Sequence, residues 1–164
     1  MVAIRKSFEE GHRRKFLVVV DDTPECDRAI IYAAKRAART GGVVTLLFVI
    51  APGDFQHWLG VEDIMRAEAQ EEAEKTLARA AGRVRAVART EPELVIREGN
   101  KSDEIIKLIE SDDDIAILVL AAGMSSEGPG PLVTSIAGKA AGNFPIPVTI
   151  VPGNLGDDEI AALA

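Results

Sequence analysis

The sequence predicts a single α/β sandwich in which five buried parallel strands alternate with helices. Short apolar runs rich in Val, Ile and Leu recur along the 164 residues, as expected for strands covered on both faces. Segments with apolar residues at helical spacing separate these runs. Short connections between them favour right-handed βαβ units. The element order is therefore βαβαβαβαβ, which by itself allows several doubly wound sheets.

The first βαβ unit is the clearest part of the pattern. Residues 16–20 are continuously apolar and predict a buried strand. Thr23 is suited to cap the following helix, with Pro24 at its first position. Two glycines at 41–42 end that helix, and residues 43–50 form the second apolar run. These features predict two adjacent parallel strands joined by a helix.

A loop at residues 54–60 carries an unusual concentration of aromatic side chains. Phe55, His57 and Trp58 lie within it, although only 4% of the chain is aromatic. One interpretation is a hydrophobic plug that docks the loop on the sheet edge, and this is the favoured one. The alternative is a wall for a base or small apolar ligand, because the loop follows the carboxyl end of a strand.

The middle of the chain repeats the alternation of helix and strand. Residues 61–88 predict a long helix with a narrow apolar stripe, and residues 94–96 a short third strand. Ser102 is expected to cap the next helix. Three aspartates at 112–114 predict a solvated turn rather than a metal site, since they lack the alternating spacing of a calcium loop. The fourth strand follows at residues 115–120.

The last third of the chain contains the stretch most suggestive of ligand binding. A loop rich in Gly, Ser and Pro follows the fourth strand, and a helix is predicted to begin at Ser135. Backbone amides at such a helix N-terminus commonly bind phosphates, so the amides of Ser135 and Ile136 are expected to form an anion site. The final strand covers residues 148–151, and a marginal helix follows at 155–164.

Composition restricts the classes of function. The net charge of −7 argues against nucleic acid as a partner, and no stretch is long and apolar enough to span a membrane. The single cysteine, Cys26, and the polar N-terminus predict a cytoplasmic location. Nucleophile-elbow, metal-ligand and Ser-His-Asp patterns are missing from the sequence, and Cys26 is better suited to packing than to catalysis. The chain is therefore expected not to be an enzyme and to hold no metal.

Several motifs resemble those of the universal stress protein family. The family pattern after the fourth strand is Gly-x2-Gly-x9-Gly-Ser/Thr, then a helix and Pro-x-Pro-Val. Ser135 matches the final Ser/Thr, and Pro145-x-Pro147-Val148 matches the start of the closing strand. The first strand and helix are similar as well. The resemblance covers residues 15–152, between a polar lead-in at 1–14 and a helical tail at 153–164.

The resemblance implies a strand order of 3-2-1-4-5, as in adenine nucleotide alpha hydrolase-like folds, and a homodimer formed through the final strand. Pairing at that strand is expected to centre on Thr149 and Ile150. Nucleotide-binding members use an aspartate after the first strand, a backbone position on the second, and the glycine loop around the phosphates. Carried over by position, with one neighbouring glycine included, the candidate nucleotide-site residues are Asp21, Val49, Ala121, Gly123, Ser135 and Ile136.

This sequence departs from the family pattern at the three glycines. Ala121, Met124 and Thr134 occupy those positions, and the latter two are expected to crowd the approach of a phosphate to the backbone. Nearby glycines at 123, 128 and 130 are candidates to replace them. Two hypotheses follow: a dimeric stress-response module acting through unidentified protein partners with no required cofactor, or a nucleotide sensor that binds ATP or AMP through a shifted loop.

Overall fold

The computed structural model describes residues 3–52 and 62–164, so the predicted aromatic loop at 54–60 lies outside the described residues. Five strands are present in this part of the chain: β1 Lys15–Val19, β2 Val43–Ile50, β3 Glu93–Glu98, β4 Ile115–Ala122 and β5 Val148–Pro152. The helices are α1 Cys26–Thr40, α2 Glu62–Ala88, α3 Lys101–Ser111, α4 Pro131–Ala137 and α5 Asp157–Leu163, and a 3-10 turn covers Ala141–Asn143.

The five strands form one parallel sheet in the order β3-β2-β1-β4-β5. This confirms the predicted sheet and its strand order. β1 lies at the centre, where Leu17 and Val18 are fully buried from opposite faces. Continuous apolar character is needed there because helices cover both faces of the sheet.

Alternate residues of β1 point into two separate cores. Phe16 and Val18 pack with α1, α2 and Ile160 of α5 on one face of the sheet. Leu17 and Val19 pack with residues of α3 and α4 on the other face. Successive side chains of a strand point to opposite faces of the sheet, so β1 contributes residues to both cores. The molecule is therefore a three-layer sandwich.

Two predicted helix caps are wrong, and both are displaced by local hydrogen bonds. α1 begins at Cys26 with Glu25 as its N-cap residue, because Thr23 instead donates from its amide and hydroxyl to the Asp21 carboxylate. In α3 the cap is Asn100, whose side chain accepts from the amide of Asp103 at 3.1 Å. Short polar side chains commonly compete in this way for nearby backbone groups.

The acidic turn at residues 112–114 is tied to the N-terminal lead-in rather than simply solvated. The Arg5 guanidinium donates to the carbonyl oxygens of Ile109 at 2.8 Å and Asp112 at 3.0 Å. His12 Nδ1 lies 2.6 Å from an Asp114 carboxylate oxygen, and the Lys15 ammonium donates to the Asp112 carboxylate at 2.6 Å. The lead-in thus packs against the end of α3, where unpaired carbonyls and the helix dipole favour cations.

In the part of the chain that the structure describes, no helix is both long and apolar enough to cross a membrane.

Candidate ligand-binding site

The candidate site lies where the strand order reverses. β1 has β2 on one side and β4 on the other, so the segments leaving β1 and β4 diverge at the carboxyl end of the sheet. Such a crevice is the usual ligand site of open α/β sheets. It brings together Asp21, which follows β1, and Ala121, near the end of β4.

Two neighbouring cavities occupy this crevice. The first, which we call the inner cavity, has a volume of about 360 Å³, and Asp21, Lys101, Ala121 and Ser135 contribute to its lining. Three of the six predicted site residues therefore share one cavity. Its volume is near the lower end of the range of roughly 300–1,000 Å³ typical of small-molecule sites.

The second, which we call the outer cavity, has a volume of about 1000 Å³ and contains the predicted phosphate region. Gly123, Met124 and Thr134 contribute to its lining, together with Lys139 from beyond the end of α4. Four residues line both cavities and mark the boundary between them: Glu25, Gly130, Pro131 and Ser135.

Two predicted site residues do not reach either cavity among the described residues. Val49 on β2 is 4% exposed and Ile136 on α4 is 2% exposed, and both pack in the core beneath α3 and α4. A ligand could meet Val49 only through its backbone, which is the role carried over for it. The side chain of Ile136 instead anchors α4 to the sheet.

One oxygen of the Asp21 carboxylate already accepts hydrogen bonds from a neighbouring residue. Oδ1 accepts hydrogen bonds from the amide of Thr23 at 2.9 Å and from its hydroxyl at 2.5 Å. Within the described part of the chain, Oδ2 makes no hydrogen bond or ion pair, and Asp21 is only half-buried. The turn therefore orients the carboxylate while leaving one acceptor oxygen for a hydroxyl or amine of a ligand.

The loop between β4 and α4 is closed by its own hydrogen bonds. The amide of Gly123 donates to the carbonyl oxygen of Pro129 at 3.0 Å, and the amide of Gly128 donates to Ser125 at 3.1 Å. Positive φ angles occur at Gly128 (+109°) and Gly130 (+111°), where the absence of a side chain permits them. Two of the three replacement glycines therefore use their amides within the loop rather than offering them to an anion.

The predicted anion site at Ser135 and Ile136 is wrong in its geometry. α4 begins at Pro131, so Ser135 lies in the second turn, and the amide of Thr134 already bonds to the carbonyl of Gly130. Only the amides of the first turn lack intrahelical partners. The helix begins early because Pro131 suits the first helical position. The Ser135 side chain still lies at the boundary of the two cavities.

Met124 and Thr134 do not point into the loop between β4 and α4. Met124 does not adopt a positive φ, and its side chain is 72% exposed. Thr134 is exposed as well and lies in the regular helix. The positive φ angles of this loop occur instead at Gly128 and Gly130. Neither residue at a lost glycine position forces the loop into strain.

Sequence reasoning missed Glu25 as a residue of the site. Its side chain makes no capping hydrogen bond to α1 and instead lies over the loop after β4. A methyl group at Gly123 would lie 2.9 Å from Glu25 Oε1, and one at Gly153 would lie 3.2 Å from Glu25 Cβ. The position of Glu25 soon after the first strand could have identified it as a candidate site residue. The direction of its side chain, however, depends on α1 starting at Cys26.

Cys26 faces the inner cavity but lacks the character of a nucleophile. Burial raises the pKa of its thiol to about 12, and the thiol donates to the carbonyl oxygen of Val19 at 3.7 Å. Reactive cysteines need a lowered pKa. Among the described residues, no group of three or more His, Cys, Asp and Glu side chains is placed to hold a metal ion.

A three-layer parallel sandwich with cavities at its switch point is a doubly wound α/β protein. A model of the universal stress protein family matches residues 12–152, so this chain belongs to that family. No curated protein matches the chain at a significant level.

Solved structures agree on the fold. The universal stress protein UspA from Lactobacillus plantarum superposes with a TM-score of 0.68 at 16% identity, covering 84% of this chain and 97% of that one. A universal stress protein in complex with cAMP superposes with a TM-score of 0.61 at 18% identity, covering 86% of this chain and 98% of that one. The Archaeoglobus fulgidus universal stress protein in complex with dAMP superposes with a TM-score of 0.58 at 19% identity, covering 92% of this chain and 99% of that one.

Proposed function

We propose that this member of the universal stress protein family is a cytoplasmic homodimer that contributes to stress responses through protein interaction rather than catalysis. In this proposal the loop after β4 has lost the ability to hold a triphosphate. The partners are proteins of unidentified type, and the net charge of −7 makes nucleic acid an unsuitable one.

The observation that carries the dimer is the free edge of β5. The carbonyl of Pro147 accepts from Leu118 and the amide of Gly153 donates to Ala122, so the odd-numbered residues of β5 direct their backbone groups toward β4. In a parallel strand the even-numbered residues then direct theirs outward. These are Val148 and Ile150, so in this proposal strand pairing centres on Val148 and Ile150 rather than on Thr149 and Ile150. An unpaired edge of this kind favours strand addition from a second copy.

Sedimentation equilibrium at micromolar concentration tests this proposal. We expect a dimer, because β5 is apolar and its outward donors have no partner within the described chain. A monomer under these conditions would contradict the dimeric function.

A second candidate is binding of an adenine mononucleotide in the inner cavity. The observation that favours it is that Asp21, Ala121 and Ser135 share that cavity. Related folds have been solved with cAMP and with dAMP, each carrying a single phosphate. The internal bonds of Gly123 and Gly128 make this candidate more consistent with the structure than a shifted loop holding ATP.

Mass spectrometry of the natively purified protein tests the second candidate. A co-purified adenosine monophosphate, linear or cyclic, would support it. Absence of nucleotide from the purified protein, together with no binding of added AMP in calorimetry, would leave only the interaction module.

A further inference from the structure

The boundary between the two cavities carries one acidic side chain. Glu25 lines both cavities, and within the described residues its carboxylate forms neither a hydrogen bond nor an ion pair. Two glycines leave space for this side chain: Gly123, which follows β4, and Gly153, which follows β5. A methyl group at either glycine would contact Glu25. Glu25 therefore lies at the boundary between the inner and the outer cavity.

The two cations that line the outer cavity form no ion pair with Glu25 within the described residues. Arg28 lines the outer cavity, but its guanidinium is used by the Leu155 carbonyl at 2.9 Å and by the carboxylates of Asp27 and Asp157. Lys139 and Glu127 also contribute to the lining of the outer cavity. No ion pair of Lys139 with another described residue is present. Within the described residues, the Glu25 carboxylate is therefore left without a cationic partner.

Among the described residues that line the inner cavity, Lys101 is the one cation, and Asp21 and Glu25 are the two carboxylates. Lys101 is the first residue of α3 and forms no ion pair within the described chain. A ligand confined to the inner cavity can place one phosphate near Lys101. A longer phosphate chain extends past Glu25 into the outer cavity, where the loop amides of Gly123 and Gly128 are already bonded. Like charges at close range raise the free energy of the bound ligand.

We propose that Glu25 is a charge filter that makes the inner cavity select an adenine nucleotide with a single phosphate over the diphosphate and triphosphate. This inference rests on the second candidate function, nucleotide binding in the inner cavity. Glu25 acts as a specificity-determining residue, and Lys101 supplies the attraction for the one phosphate that the cavity accepts.

Calorimetry of the full chain with adenosine, AMP, ADP and ATP in the absence of magnesium tests the filter. We expect the natural protein to bind AMP at least about tenfold more tightly than ATP, equivalent to about 1.4 kcal/mol. Glu25→Gln should reduce this ratio to about threefold or less by strengthening ATP binding, with adenosine unchanged. Lys101→Gln should weaken AMP but not adenosine. Glu110→Gln removes the same charge from an exposed site on α3 away from both cavities, and should retain the natural ratio.

The possible outcomes distinguish a failure of the charge filter from a failure of the nucleotide site. Equal binding of AMP and ATP by the natural protein, or an unchanged ratio in Glu25→Gln, would overturn the filter while leaving the nucleotide site intact. No binding of any of the four ligands to either protein would overturn both. A measurement on the natural protein alone gives an independent check, because raising the salt concentration should narrow the ratio of AMP to ATP affinity. A ratio that is insensitive to salt would contradict electrostatic selection.

Discussion

The backbone amide of Gly123 donates a 3.0 Å hydrogen bond to the carbonyl oxygen of Pro129, and this bond closes the loop that follows β4. In a phosphate-binding loop, amides point away from the loop's own carbonyls and toward the ligand. Here the amide nearest the end of the strand points inward. The closed loop therefore predicts weak triphosphate binding without requiring steric crowding.

Glycine substitution at Met124 and Thr134 tests that explanation. The sequence favours crowding by these side chains and hence stronger ATP binding in Met124→Gly/Thr134→Gly. Because both side chains are exposed and the Gly123 amide stays bonded to Pro129, we expect ATP affinity to change by less than about threefold. Calorimetry on the natural and double-glycine proteins measures this. A larger gain in affinity would restore the crowding hypothesis.

Proline substitution at one edge of the sheet should separate the dimer. Ile150→Pro removes an outward amide of β5 and leaves the hydrogen bonds to β4 in place, so we expect monomers in sedimentation. Leu94→Pro is the matched control, because the amide of Leu94 faces outward from β3 at the opposite edge. Dissociation by Leu94→Pro and not by Ile150→Pro would place the interface on β3.

Removing the Arg5 side chain should destabilise the fold. Its guanidinium donates to the carbonyls of Ile109 and Asp112 and is largely buried, so Arg5→Ala leaves partly buried acceptors unpaired. We expect a loss of about 1–3 kcal/mol in the free energy of unfolding, measured by urea denaturation. Lys6→Ala is the control, since its ammonium is half-exposed and 4.0 Å from Asp113. Equal effects of the two variants would contradict a special role for Arg5.

The Asp27 carboxylate should make stability depend on acid pH. Burial raises the pKa of Asp27, but hydrogen bonds from Arg83 of α2 at 2.9 Å and from Arg28 at 2.7 Å outweigh this and lower it below its ordinary value. The lowered pKa means that the folded state favours the charged form. Its stabilisation is fully present above about pH 4 and is lost as the pH falls through the folded pKa.

We therefore expect Asp27→Asn to lose about 1 kcal/mol of unfolding free energy at pH 7, a modest value because the pair is partly exposed to solvent. The difference from the natural protein should shrink in denaturant titrations below about pH 4. Asp22→Asn, an exposed site without an ion pair among the described residues, is the control. If the difference in unfolding free energy between the natural protein and Asp27→Asn stays constant below about pH 4, the proposed link between Asp27 ionisation and stability is contradicted.

The thiol of Cys26 should be unreactive in the folded protein. With its pKa raised to about 12 by burial, almost none of it is thiolate at pH 8. Alkylation by iodoacetamide should be at least about a hundredfold slower in the folded chain than in urea, where the thiol pKa returns to roughly 8.5. Rapid labelling without denaturant would show that Cys26 is accessible and activated.

The sequence by itself determined the layers of this protein. Runs such as those around Leu17 and Leu118 are apolar on both faces, and this local property is enough to predict buried parallel strands. The family motifs then supplied the strand order and identified Asp21, Ala121 and Ser135 as residues that meet at one site, which the structure places in one cavity. These features depend on residue spacing, which is readable along the chain.

Only the tertiary structure decided how the site's polar groups are used. The position of Glu25 depends on α1 starting at Cys26, two residues later than the expected start at Pro24. The start of α4 at Pro131 moves Ser135 into the second turn. The amide of Gly123 meets Pro129 only once the loop has closed in space. Hydrogen-bond partners depend on distances of a few tenths of an ångström between residues apart in sequence, and no local pattern of residue types encodes those distances.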